Sequence, residues 1–182
     1  MNHLSLQFAL SFAAILFALT GAVTDLLWRR IPNVLTGPAM LLGLVLHGSA
    51  GGWRECLSSF AALLICGFVF LVFYLAGGMG AGDVKFIAAE GCLLGMSNSG
   101  SLLTLTALAG GVLAIGYAWR YGRLRQTCMN VVVLVCHHCQ RGLTPHPKLY
   151  VENSLTLRLP YGLAIATGSL LTLYVRVFQV YP

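Results

Sequence analysis

Acidic side chains are nearly absent from this chain. Asp25 and Asp83 are its only aspartates, and Glu55, Glu90 and Glu152 its only glutamates, in 182 residues. Charged residues of both signs reach 9%, against about 25% in an ordinary soluble domain. With 58% hydrophobic residues as well, the chain has too little polar surface to face water, which excludes a soluble globular protein. It also lacks low-complexity segments and internal repeats. The first apolar run begins almost at Met1 but has neither the basic leader nor the small-residue cleavage site of a signal peptide, so a mature span is expected there. The net charge of +6 would raise nucleic acid as a partner in a soluble protein. Here the cations sit between apolar runs, and no nucleic-acid partner is expected.

What the chain does have is apolar length. A span needs roughly 17–25 apolar residues. Runs near 4–23, 34–52, 57–76, 100–118 and 159–177 qualify, and a shorter one near 84–98 is interrupted by Glu90. The expected fold is an all-α polytopic membrane protein of about six transmembrane helices, forming a single membrane-embedded domain over 1–182. Lysine and arginine give the orientation. Arg29, Arg30, Lys85, Arg120, Arg123, Arg125, Arg141, Lys148 and Arg158 all fall on one side if the spans alternate; only Arg54 and Arg176 fall on the other. Both termini are therefore expected outside, with three loops in the cytoplasm. Asp25 and Asp83 share the cytoplasmic side.

The stretch 119–157 is a cytoplasmic or interfacial loop within that domain. Its apolar core, Val131 to Cys136, is too short to span, and flanking arginines suit a segment lying on anionic lipid. Pro145 and Pro147 break any helix there, as Pro32 does in "RIPN". Pro160 suits the first turn of the last span. Cys128, Cys136 and Cys139 lie in this reducing-side loop and no structural disulfide is expected. With His137, His138 and His146 they offer zinc-type ligands, but a second matched pair is missing and no metal is expected. His47 reads as interfacial near the outer face, and His3 as terminal.

Two carboxylates at one membrane face are the strongest chemical signal. An acid at membrane depth is a functional candidate by default. Either one alone also reads as a helix-end carboxylate, and Asp83 suits a helix N-terminus. If the two meet, they cannot easily both ionise and will share a proton. The ionised member can then activate a water and the neutral one protonate a leaving amine. No serine–histidine–aspartate set is placed to compete. Gly77, Gly78, Gly80 and Gly82 crowd Asp83 in "GGMGAGDVKF". Glycine permits positive φ and close backbone approach, so this segment can line a wet cavity and pair with an extended substrate. Close helix packing is the plainer use of such glycines. Lys85 is expected to meet lipid phosphate, with a carboxylate as the other choice.

"GGMGAGDVKF" (77–86) resembles the signature of type IV prepilin peptidases, bacterial GxGD aspartyl proteases. "TDLLWRRIPN" (24–33) is similar to their other catalytic stretch, and "LPYGLAIATG" (159–168) to their last span. The order is the family's, and the resemblance is to the short form of the Flp or tight-adherence pilus systems. It implies that Asp25 and Asp83 are the catalytic pair, supported by Gly80, Gly82 and Lys85. It implies no cofactor, a prepilin or pseudopilin substrate in the bilayer of the bacterial inner membrane, and removal of a short basic leader at the cytoplasmic face. The substrate's apolar stem would enter by a lateral opening near the aspartates. The chain has no insert with paired CxxC motifs between spans one and two, so N-methylation of the product is not expected. Glu90 stands where an apolar residue is expected; it faces the cavity or pairs with a polar neighbour. Presenilin-type relatives of the GxGD class place tyrosine before the first aspartate, where this chain has Thr24. The alternative functions are an ion-coupled transporter, which would carry ions and cut nothing, and a pilus-assembly subunit, which would tolerate asparagine at both sites.

Overall fold

The computed structural model describes residues 3–142, 144 and 160–180. The expectations for Pro145, Pro147, His146, Lys148, Arg158 and most of the later part of the 119–157 loop lie outside the described residues, as does the side chain of His3. All the described elements are helices: α1 His3–Trp28, α2 Asn33–Leu75, α3 Ala81–Leu94, α4 Met96–Arg120, α5 Leu124–Arg141 and α6 Tyr161–Val180. Three helices are long and apolar enough to cross a membrane: α1 over Leu6–Trp28, α2, and α4. Their outward faces carry exposed Phe8, Phe12, Val45, Phe68 and Val112. Such continuous apolar surface is costly in water and natural against lipid.

Helix α2 contains two of the expected spans. It breaks at Gly51 (φ −138°, ψ 19°) and Gly52 (φ 71°, ψ −157°). The second of these lies in the left-handed region that glycine enters without Cβ strain. The two halves then run back along opposite directions of α3. On the first half, Asn33 bonds Lys85, Cys92 bonds the Met40 carbonyl, and His47 bonds the Leu93 carbonyl. On the second half, Ser59 bonds the Cys92 carbonyl, and Gly67 lies against Ala88. Thus α2 is a hairpin with α3 against both arms. The short α3 is the most buried helix, with Phe86, Ile87, Ala89, Glu90 and Cys92 fully enclosed.

The hairpin returns the chain to the level of α1's C-terminus. Helix α1 stops at Trp28, where Arg29 takes φ 50° and donates its amide to the Asp25 carbonyl at 2.9 Å. Pro32 (φ −71°, ψ 141°) then starts α2 in extended backbone. Helix α2 ends in a glycine turn: Gly77 has φ 77°, its amide reaches the Tyr74 carbonyl and that of Gly78 the Phe73 carbonyl. This is the Schellman pattern of helix termination. Arg54 and Arg176 lie toward the other end, where Gly51, Glu55 and Arg176 line a cavity of about 290 Å³. Arg29 and Arg30 lie instead at the α1–α2 turn, with Lys85 bonded to Asn33 beside them.

Two boundaries differ from the sequence expectation. The run at 84–98 is divided at Gly95, whose φ of 78° closes α3 and opens α4. A hydropathy pattern is blind to a single left-handed residue inside an apolar stretch. Residues 124–141 of the interfacial segment form a regular helix, α5, which touches only α4 among the described elements and exposes Val131, Val132, Val133 and Val135. All six cysteines are free thiols.

Candidate active site

The opening between α1, the α1–α2 turn and the start of α3 is a cavity of about 400 Å³. It is lined by Asp25, Arg29, Arg30, Gly80, Gly82 and Asp83, with Ile31 to Asn33 completing the wall. Asp25 and Asp83, distant in sequence, thus face one space. Phe86 sets this meeting. Its buried ring stands edge-on to Phe17 at 5.0 Å and occupies the place a side chain at Gly21 would take. Gly21 is about one turn before Asp25, and Phe86 about one turn after Asp83, so this contact fixes the two helices just below the carboxyls.

Each carboxyl is held by a backbone amide. Asp83 is in the first turn of α3. The Gly80 amide donates to its Oδ2 at 3.1 Å, while the Asp83 amide donates to the Gly80 carbonyl at 3.1 Å. This reciprocal pair is the backbone form of a capping box. Asp25 is held from α6, by the Gly162 amide donating to its Oδ2 at 2.8 Å. First-turn amides have no partner inside their own helix, and the positive end of the helix dipole favours a carboxylate there. Leu163 returns its own amide to the Pro160 carbonyl, which leaves that of Gly162 free to turn toward Asp25. Among the described residues, nothing donates to the second oxygen of either aspartate.

The segments quoted from the sequence therefore converge. Gly80 and Asp83 stand at the start of α3, and Gly82 lies against Ile31 of the turn, where a Cβ would make an ordinary contact at 3.4 Å. Lys85 is at the rim, donating to the Asn33 side-chain oxygen at 2.9 Å rather than to a carboxylate. Glu90 does not line the cavity; it is fully buried and accepts a hydrogen bond from Ser169. Three residues were not assigned to the site from the sequence. Gly162 anchors Asp25, and Arg29 and Arg30 supply positive charge to the cavity. The signal for Gly162 is its place just after Pro160, where a helix begins with free amides. No three histidine, cysteine or acidic side chains come together as a metal site among the described residues.

Residues 12–115, which contain both aspartates, match the type IV leader peptidase family. The chain belongs to that family. It is accordingly a prepilin-peptidase-type membrane protease. No curated protein and no solved structure matches it. The matched span ends inside α4, so the α6 amide on Asp25 comes from outside it.

Proposed function

We propose that this leader peptidase is an aspartic endopeptidase that removes the short basic leader of Flp-type prepilins or pseudopilins at the cytoplasmic face of the bacterial inner membrane. The observation that carries this reading is the single cavity shared by Asp25 and Asp83. The ionised carboxyl takes a proton from a water lying between the two. The resulting hydroxide adds to the scissile carbonyl carbon, while the protonated carboxyl donates to its oxygen. The C–N bond then breaks, a proton passes to the leaving nitrogen, and the products are the leader's new carboxylate and the mature pilin's amine. No covalent enzyme intermediate forms. The pair titrates as a unit, and its roles belong to the dyad.

Arg29 and Arg30 on the cavity wall and Lys85 beside it, together with the bias of lysine and arginine along the sequence, support the cytoplasmic placement of the site, with both termini outside. Arg29 and Arg30 also place positive charge on the same space as the two carboxyls. The chain shows no CxxC insert between α1 and α2, in keeping with a peptidase that leaves the new amine unmethylated.

The reading is tested by co-expressing the full chain with a tagged Flp-type prepilin and weighing the product by mass spectrometry. One new N-terminus at the leader junction, with no added methyl group, is the expected result. An intact leader beside a well-inserted protein, or ion flux in proteoliposomes without cleavage, would sink it.

A further inference from the structure

We propose that Glu90 is a positioning residue for leader cleavage: by accepting the Ser169 hydroxyl it fixes the height of α6 on α3 at which the Gly162 amide reaches Asp25. The inference rests on the reading that Asp25 and Asp83 perform the chemistry.

Helix periodicity puts the parts in line. Glu90 follows Asp83 by seven residues, and Ser169 follows Gly162 by seven. Seven residues are two turns, roughly 10 Å along a helix. The bundle thus has two polar rungs on α6. At the cavity, Gly162 donates to Asp25 at 2.8 Å. Two turns deeper, Ser169 donates from its Oγ to Glu90 Oε2 at 2.9 Å. Among the described residues the deeper rung is the only side-chain hydrogen bond between α3 and α6.

The remaining contacts of α6 are apolar and non-directional: Ile165 and Leu173 enter the main core, and small side chains make up much of the rest. Ala166 meets Ala18 and Ala22 of α1 in a cluster of small side chains. Gly168 lies directly against Thr106 of α4. Small residues let helices approach closely, but they offer few interlocking side chains to resist axial sliding. A directional hydrogen bond in a dry interior does resist it, because breaking it strands both groups without water.

Stability alone explains Glu90 poorly. Glu90 and Ser169 are both completely buried, and Glu90 Oε1 has no hydrogen-bond partner among the described residues. A buried polar atom left unpaired is costly, and a leucine here would avoid that cost. Buried polar groups have their best-attested use in fixing register, and register is what the Gly162–Asp25 contact needs. A misplacement of about 1 Å far from the reacting atoms can cost on the order of 100-fold in rate.

The test uses the full chain in membranes, with kcat and KM for leader cleavage measured separately for Glu90→Gln, Glu90→Leu, Ser169→Ala and the double variant Glu90→Leu/Ser169→Ala. Thermal stability is measured for each, and Asp25→Asn is run alongside. Glutamine keeps an oxygen that accepts from Ser169, and its kcat is expected to stay close to wild type. Glu90→Leu and Ser169→Ala are expected to lose kcat by roughly 10–100-fold with KM unchanged, and the double variant, which leaves neither buried group unpaired, is expected to keep the wild-type melting temperature. The double variant should be no worse than either single, because both remove the same rung. Wild-type kcat in Glu90→Leu overturns the proposal. So does a glutamine variant as poor as leucine, or a fall in kcat that merely follows lost stability. Normal cleavage by Asp25→Asn overturns the dyad reading and the rung with it; loss in Asp25→Asn beside full activity in Glu90→Leu overturns the rung alone.

Discussion

Replacing either aspartate by asparagine is expected to lower leader cleavage by about 10³-fold or more, within the range that positioned acid–base groups contribute. The substitution is close to isosteric. In Asp25→Asn the new amide side chain keeps an oxygen to accept from Gly162, and in Asp83→Asn it keeps one to accept from Gly80, contacts now made at 2.8 Å and 3.1 Å. Insertion and folding should therefore survive, and only proton transfer is lost. Groups that act as one unit show non-additive losses. The double variant Asp25→Asn/Asp83→Asn should consequently cleave no more slowly than the worse single variant. Rates that multiply would mean that the two carboxyls act in separate steps. The measurement is initial cleavage rate at matched protein levels in membranes.

The second large effect is expected at a residue that carries no reactive group. A Cβ on Gly162 would stand 2.7 Å from Asp25 Cβ, 2.8 Å from its Oδ2 and 3.0 Å from its Cγ. No real side chain tolerates those distances, so Gly162→Ala must push the carboxyl off the α6 amide or move α6 itself. Either result displaces a reacting group, and a fall on the order of 100-fold in rate is expected. Gly111→Ala on α4 is the control, since a Cβ there meets nothing within 4 Å. It should cleave like wild type. Equal activity in the two variants would show that the Gly162 contact has no part in catalysis.

Much of this architecture was written in hydropathy. The runs at 34–52 and 57–76 correspond to the two arms of α2, and Gly51–Gly52 marks the reversal between them. The aspartates stood out because so few acids surround them, and both face the cavity. Local rules also served where the chain ends helices: the glycines before Asp83 divide between a C-terminal turn at Gly77 and Gly78 and the Gly80 amide that holds the Asp83 carboxyl. What stayed hidden depended on pairing between distant helices. Nothing in "LPYGLAIATG" says which carboxyl its free amide will meet. The sequence left Glu90 with two destinations, the cavity or a polar neighbour, and Ser169 is the neighbour. The shared seven-residue spacing of Asp83–Glu90 and Gly162–Ser169 is visible in the sequence, but it gains meaning only once α3 and α6 lie side by side.

The most direct test of the central claim is chemical rather than kinetic. Cysteine is placed at both positions, Asp25→Cys with Asp83→Cys, and the membranes are treated with a short bifunctional thiol reagent. Joined peptides are then identified by mass, which separates the new link from reactions of the exposed native thiols at Cys128, Cys136 and Cys139. A reagent long enough to replace one bridging water should join residues 25 and 83 within one chain, because both side chains open into the same cavity. If each cysteine accepts a monofunctional label and the two are never joined to one another, the carboxyls do not share a water, and the aspartic dyad is contradicted.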